Sequence, residues 1–81
     1  MDNIETQIRQ VLAEQGGLSK SAESLAADED LQQAGMTSYA SVNVMLGLEG
    51  AFDIEFPDHM LSRSVFATIA SMAAAIRQLL G

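Results

Sequence analysis

The hydrophobic pattern at the start of the sequence predicts a helix over residues 3–15. Apolar side chains recur there every three or four positions with polar residues between them, and they are Ile4, Ile8, Val11 and Leu12. Asp2 or Asn3 can cap the start of this helix. Gly16-Gly17 supplies a stop, because glycine readily takes the left-handed conformation that ends helices.

The stretch from Gly16 to Thr37 has no sustained periodicity and is predicted to be a long loop. Loops of this length in small proteins are usually functional or held by a few apolar anchors. The expected anchors are Leu18, Leu25 and Leu31. The acidic run Asp28-Glu29-Asp30 is expected to be solvated and to cap a short turn at residues 31–33.

A second helix is predicted from Ser38 to Phe52, and it is apolar on more than one side. Such a helix is either mostly buried or presents an apolar face to a partner. Gly47 and Gly50 each cost roughly 1 kcal/mol relative to alanine in a helix interior. They either allow a close contact between helices or weaken the last turn.

Two more helices complete the predicted fold. Pro57 suits the first position of a short third helix at about residues 57–61. Ser64 is expected to cap the last helix, whose apolar positions are Val65, Phe66, Ile69, Met72, Ala73, Ile76 and Leu80. The predicted fold class is all-α, a small four-helix bundle with a long first loop and a short third helix.

Size and composition narrow the class of protein. The 81 residues predict a single domain over 1–81, and 48% of them are apolar, which argues against disorder. No apolar run is long enough to span a bilayer, and the acidic start is unlike a secretory signal. There is no cysteine for a disulfide framework. We therefore expect a cytoplasmic protein, and a monomer.

The charge balance bears on the partners. Eleven acidic residues against four basic ones give a net charge of -7, which repels the phosphate backbone of nucleic acids and anionic membranes. We therefore expect no nucleic acid and no membrane among the partners. A basic protein is the natural counterpart.

The candidate chemistry lies in the stretch Gly35-Met36-Thr37-Ser38-Tyr39, where the second helix begins. A helix start leaves backbone N–H groups unpaired and carries a partial positive charge, so a hydroxyl there suits a phosphate ester. We interpret Ser38 as a tethering point and not as a nucleophile. The plain alternative is a helix cap, worth roughly 1 kcal/mol. With two adjacent hydroxyls, one of Thr37 and Ser38 can cap while the other stays free.

The sequence offers two arrangements of titratable residues that could in principle be catalytic. His59 beside Asp58 could pair a base with an orienting acid, but a lone surface histidine next to a carboxylate is the commoner case. Asp53 and Glu55 are more simply a solvated connection between helices. With one histidine and no cysteine, no metal site is expected, and we do not expect an enzyme.

The order of these parts resembles the acyl carrier protein family over nearly the whole chain. The matching residues are Asp30-Leu31, Ala34-Gly35-Met36-Thr37-Ser38-Tyr39, Val42, Leu46, Leu48-Glu49, Phe52-Asp53, Glu55 and Phe56-Pro57-Asp58. In that family a serine in a Gly-x-Asp-Ser-Leu motif carries 4′-phosphopantetheine from coenzyme A, whose thiol holds an acyl or aminoacyl group as a thioester. The resemblance implies a bundle of acyl-carrier type with Ser38 as the attachment residue. It implies as partners a pantetheinyl transferase, a ligase that loads the acyl or aminoacyl group, and a downstream transferase.

The chain departs from the family pattern in two places. Thr37 stands where the family has an acid before the serine, so one charged contact to a transferase is missing. The second helix, acidic in the family, contains a single charged residue here, Glu49. We therefore expect recognition to depend on shape and apolar contact more than on electrostatic steering. These departures indicate a specialised or aminoacyl carrier rather than the housekeeping carrier of fatty-acid synthesis.

Partner contacts are expected close to Ser38, and the candidates are Met36, Thr37, Tyr39 and Met60. Methionine makes adaptable binding surfaces but also fills core gaps, so Met36 and Met60 can serve either purpose. A pocket for an acyl chain could be lined by Val44, Leu48, Phe56 and Leu61, which are more simply explained as core.

Two other functions remain open. One is a helical protein–protein interaction module that keeps the carrier fold and is never modified. The other is a small acidic regulator that binds a partner helix through the apolar second helix. The first predicts a Ser38 that stays unmodified beside competent transferases. The second predicts partner binding that is indifferent to Ser38→Ala, whereas a carrier would lose all loading.

Overall fold

The computed structural model describes residues 3–18 and 21–81, which form three α-helices and two short 3₁₀ turns. The helices are α1 (Asn3–Gln15), α2 (Ser38–Phe52) and α3 (Ile69–Leu80), and the 3₁₀ turns cover Ala22–Ser24 and Asp58–Met60. The all-α prediction and the ranges predicted for the first two helices are confirmed. Among the described residues no helix is both long and apolar enough to cross a bilayer.

The predicted count of four helices is not confirmed, because the short third helix is only a 3₁₀ turn. Residues 57–61 make a single 3₁₀ turn, in which the N–H groups of Met60 and Leu61 bond to the carbonyls three residues earlier. Leu61 then leaves the helical region with ψ 64°, so the turn does not continue. Local i→i+3 bonding of this kind rarely extends beyond one turn.

The last helix also begins later than predicted. Thr68, and not Ser64, is its N-cap: Oγ1 of Thr68 accepts from the Ser71 N–H at 3.0 Å, and Oγ of Ser71 accepts from the Thr68 N–H at 3.2 Å. The Ser71 hydroxyl lies 2.7 Å from the Val65 carbonyl oxygen and donates to it, which holds the preceding residues in a turn. This reciprocal pair of bonds is a stronger start signal than a single serine.

Gly16 and Gly17 end α1 as predicted. The Gly16 N–H bonds to the Leu12 carbonyl at 2.8 Å, and Gly17 has φ +62°, a conformation that glycine adopts without strain. The capping role predicted for Asp2 or Asn3 lies outside the described residues and side chains.

The three helices enclose one apolar core, in which α1 packs against both α2 and α3. The largest fully buried side chains are Ile8, Leu12, Leu31, Val44, Leu48, Ile69, Met72 and Ile76. At Gly47 a Cβ atom would lie only 2.8 Å from Cγ1 of Val11 in α1. Gly47 therefore permits the close contact between α1 and α2. A Cβ atom at Gly50 would meet nothing within 4 Å.

The long loop is tied to α1 and to the segment just before α3. Leu25 and Leu31 are buried and Leu18 is half-buried, so the predicted anchors are confirmed. Nη1 of Arg9 in α1 donates to the carbonyl oxygens of Ala22 and Leu25, each at 2.8 Å. At its far end the Leu31 N–H bonds to the Ala67 carbonyl at 2.9 Å, which brings the loop beside the start of α3.

Candidate attachment site at the start of α2

The hydroxyl of Thr37 caps α2, and the neighbouring hydroxyl of Ser38 does not. Thr37 is the N-cap of α2, and its Oγ1 accepts from the Ala40 N–H at 3.1 Å. Ser38 is the first residue of the helix, and its exposed hydroxyl makes no hydrogen bond within the described part of the chain. The helix-cap interpretation of Ser38 is therefore wrong, and its hydroxyl is accessible to solvent.

The segment that leads into Ser38 is held in place. Asp30 Oδ1 accepts from the Gln32 N–H at 2.9 Å, which caps the predicted turn. The Met36 N–H bonds to the Leu31 carbonyl at 2.9 Å. Gly35 has φ +112°, a conformation that disfavours any side chain, so the glycine of the motif has a backbone role. The hydroxyl of Ser38 is thus presented from a fixed turn.

A groove of about 390 Å³ opens beside Ser38. One wall is the side of α2 that carries Ser38, Ser41, Val42 and Met45, and the other comes from residues 61–63 and 66–67, with Asp30 and Gln32 also on the lining. This volume lies within the range of small-molecule sites, about 300–1,000 Å³. The groove gives Ser38 an adjoining space in which an attached group could lie.

The part of α2 nearest the site also presents an exposed apolar face. Tyr39, Val42 and Leu46 follow one another at helical spacing and are 79%, 52% and 54% exposed, and Leu61 on the facing segment is 46% exposed. The single charged residue of α2, Glu49, is half-buried and accepts from the Phe56 N–H at 2.9 Å through Oε2. This exposed apolar face, Tyr39-Val42-Leu46, carries no charged side chain.

The predicted partner contacts separate into two groups. Thr37 and Tyr39 are exposed on either side of Ser38. Met36 and Met60 are only 3% and 7% exposed and belong to the core, so in this conformation their side chains are not available to a docked protein. Met36 lies at the end of the turn at residues 31–36, and Met60 lies in the 3₁₀ turn at residues 58–60. Both turns direct the methionine side chain into the core.

The residues considered for an acyl-chain pocket are mostly core. Val44, Leu48 and Phe56 are buried, as expected, while Leu61 borders the groove. Arg63 and Phe66 border it too, and sequence reasoning missed both. No local signal marks them, because their position depends on how residues 61–67 pack against α2.

The titratable candidates lie on the surface. Asp58 and His59 are exposed on the second 3₁₀ turn, and Asp53 and Glu55 are exposed in the connection that follows α2. Within residues 3–18 and 21–81, no group of three or more His, Cys, Asp or Glu side chains could hold a metal ion.

Comparison with known proteins identifies the class. The sequence profile described as phosphopantetheine attachment site matches residues 6–76. The chain belongs to this family of carrier proteins, whose cofactor is covalently attached 4′-phosphopantetheine. The residues present fit such a group, since a free serine hydroxyl at a capped helix start adjoins a groove.

Two individual relatives cover most of the chain. The chain is 45% identical over 73 residues to the aminoacyl carrier protein of Agrobacterium fabrum, a match that covers 90% of this chain and 88% of that protein. It is also similar, with a TM-score of 0.91 and 42% identity, to the Agrobacterium tumefaciens carrier protein in a crystal structure with an engineered Bradyrhizobium japonicum glycine:[carrier protein] ligase and ATP. That match covers 94% of this chain and 99% of the other.

A more distant neighbour supports the fold alone. It comes from the structure of Bradyrhizobium japonicum glycine:[carrier protein] ligase complexed with glycylated carrier protein, with a TM-score of 0.80 and 24% identity. The match covers 91% of this chain and 99% of the other.

Proposed function

We propose that Ser38 carries the 4′-phosphopantetheine arm and that the protein holds an amino acid on the arm's thiol as a thioester for delivery to partner enzymes. The observation that supports this most directly is the free, exposed hydroxyl of Ser38 beside a helix cap already supplied by Thr37. Esterification of Ser38 therefore leaves the hydrogen bond that starts α2 intact. Residues 1–81 would act as one carrier domain without catalytic activity of its own, as a monomer in the cytoplasm.

The aminoacyl cargo is favoured over a fatty acyl chain on two grounds. The Agrobacterium relative at 45% identity is an aminoacyl carrier protein, and the one at 42% identity is bound to a glycine:[carrier protein] ligase. In addition, Val44, Leu48 and Phe56 are tightly buried and leave the groove beside Ser38 as the space near the arm. Glycine is the first amino acid to test.

Attachment is tested by intact mass before and after incubation with coenzyme A and a broad-specificity pantetheinyl transferase. The wild type is expected to gain one phosphopantetheine and Ser38→Ala none. Ser41→Ala, which removes a hydroxyl one turn further along the same side of α2, is the matched control and is expected to be modified normally. Failure of several transferases to modify the wild type would contradict the proposal.

Loading is tested on the modified protein with a glycine:[carrier protein] ligase, ATP and a panel of amino acids. We expect a second mass increase that hydroxylamine removes, as it does from thioesters. An increase that survives hydroxylamine would contradict an amino acid held as a thioester.

We propose that the ligase docks on the exposed apolar face of α2, because the arm at Ser38 has to reach the active site of the bound enzyme. Val42→Ser and Leu46→Ser should reduce the rate of loading and leave the melting temperature and the transferase reaction near wild type. Ala51→Ser, at an exposed position near the other end of α2, is the control. Unchanged loading in both variants would move the docking site elsewhere.

The same apolar face also suits an unmodified interaction module. That function predicts partner binding of equal strength for the wild type and Ser38→Ala, with no mass gain from coenzyme A. The mass experiment and a binding measurement on these two proteins therefore separate the candidates.

A further inference from the structure

Arg63 is a cation on the wall of the groove that faces α2. It is exposed, borders the same groove as Ser38, and makes no hydrogen bond or ion pair with any residue in 3–18 or 21–81. Arg9, by contrast, is fixed by two loop carbonyls and lies 3.7 Å from a Glu5 carboxylate oxygen. Arg77 also has a partner.

The surroundings of Ser38 make a cation at this place useful. The chain has a net charge of -7, and Asp30 borders the same groove. Of the N–H groups that the start of α2 leaves without an intrahelical partner, that of Ala40 already bonds to Thr37 Oγ1. The helix start can therefore offer an anionic group on Ser38 fewer donors than an uncapped one, and a side-chain cation is the natural supplement.

We infer that Arg63 is a positioning residue for the arm: its guanidinium donates hydrogen bonds to the non-bridging phosphate oxygens of the diester on Ser38. This rests on the proposed function of Ser38. A guanidinium suits the task because its planar donors match two phosphate oxygens at once, which a lysine ammonium does not reproduce. Held at its root in this way, the arm is directed along Val42 and Met45 in the groove.

The test uses ³¹P NMR on the modified protein, in the wild type, Arg63→Gln, Arg63→Lys and the control Arg77→Gln. The resonance of the diester is expected to shift in Arg63→Gln, to shift partly in Arg63→Lys and to stay at the wild-type position in Arg77→Gln. Raising salt to about 1 M, where the Debye length is about 3 Å, should move the wild-type signal toward that of Arg63→Gln. Arg63→Gln itself should respond little to salt.

A second readout needs no variant. In the wild type, conversion of the unmodified protein to the modified one should shift the Arg63 Nε–H signal in ¹H–¹⁵N spectra and leave that of Arg77 in place. Equal ³¹P shifts in Arg63→Gln and Arg77→Gln would reduce the effect to general charge and overturn the inference. An unchanged diester resonance in Arg63→Gln would overturn it as well.

The mass gain and the diester resonance together distinguish a failure of attachment at Ser38 from a failure of the role assigned to Arg63. If the wild type gains no mass and shows no diester resonance, the proposed attachment at Ser38 fails. If the diester forms but is indifferent to Arg63, the carrier function stands and only the role of Arg63 is lost.

Discussion

Two sides of α2 are apolar, yet only one belongs to the core. Ala40, Val44 and Leu48 are buried, and Leu48 is 0% exposed. Leu46, two residues before Leu48 on the exposed apolar face, is 54% exposed. Hydrophobicity does not separate the two sides, so the difference comes from the close approach of α1 at Gly47. The buried side stabilises the fold, and the exposed side is the docking face proposed for the ligase.

The largest expected effect is a difference in stability between two leucine truncations, one on the buried side of α2 and one on the exposed side. Leu48→Ala is expected to lower the free energy of unfolding by about 2–5 kcal/mol, because it leaves a cavity in a closed core. Leu46→Ala should change the free energy by about 0.5 kcal/mol or less, as surface substitutions usually do. Urea denaturation of both variants measures the difference. Similar losses would mean that both sides are packed in solution.

The two glycines of α2 sharpen the comparison. Gly47→Ala brings a Cβ to 2.8 Å from Cγ1 of Val11, a stiff β-branched side chain. Overpacking typically costs about 1–3 kcal/mol, and the gain in helix propensity, about 1 kcal/mol, offsets only part of it. Gly50→Ala meets nothing within 4 Å and should stabilise the protein by up to about 1 kcal/mol. Thermal melts should therefore move in opposite directions, and a rise in both would contradict the close contact.

The sequence predicted the range of α2 but could not choose its buried side. The helical period of 3.6 residues identifies the buried side only when the opposite side is polar. In α2 the apolar residues Val42 and Leu46 lie on one side and Val44 and Leu48 on another, so the pattern does not distinguish them. The choice depends on a tertiary contact with Val11 that leaves no mark in the local pattern.

The start of α3 shows the same limit. Ser64 and Thr68 are both good caps, and the decision falls to Thr68 because Ser71 can return the hydrogen bond while Leu31 holds the Ala67 carbonyl. The start of α2 at Ser38 was predicted from the local pattern, whereas the role of Ser38 rested on a resemblance over nearly the whole chain. The wall that faces Ser38, with Arg63 and Phe66, depends on packing and was not predicted.

Substitutions at Thr37 and Ser38 should have opposite effects. One should lower stability and spare the modification, and the other should do the reverse. Thr37→Ala removes the Oγ1 that accepts from Ala40 and should destabilise the protein by about 1 kcal/mol. It should still accept phosphopantetheine. Ser38→Ala removes a hydroxyl with no hydrogen bond in the described residues, so its melting temperature should match the wild type while modification is lost. Urea denaturation measures the stability of both variants, and intact mass measures their modification. Modification of Ser38→Ala would assign the arm to Thr37.

The smallest expected effect concerns the exposed side of α2 and salt. Charge-steered docking slows steeply as ionic strength rises. Here Tyr39, Val42 and Leu46 carry no charge, and Glu49 is engaged with the Phe56 N–H. Between about 0.05 and 1 M salt, which shortens the Debye length to about 3 Å, kcat/KM for loading by a ligase should therefore change little. Activation of the amino acid without the carrier, measured at each salt concentration, corrects for effects on the ligase. A steep fall after that correction would shift recognition from the apolar face to acidic residues such as Asp53 and Asp58, which are exposed just beyond α2.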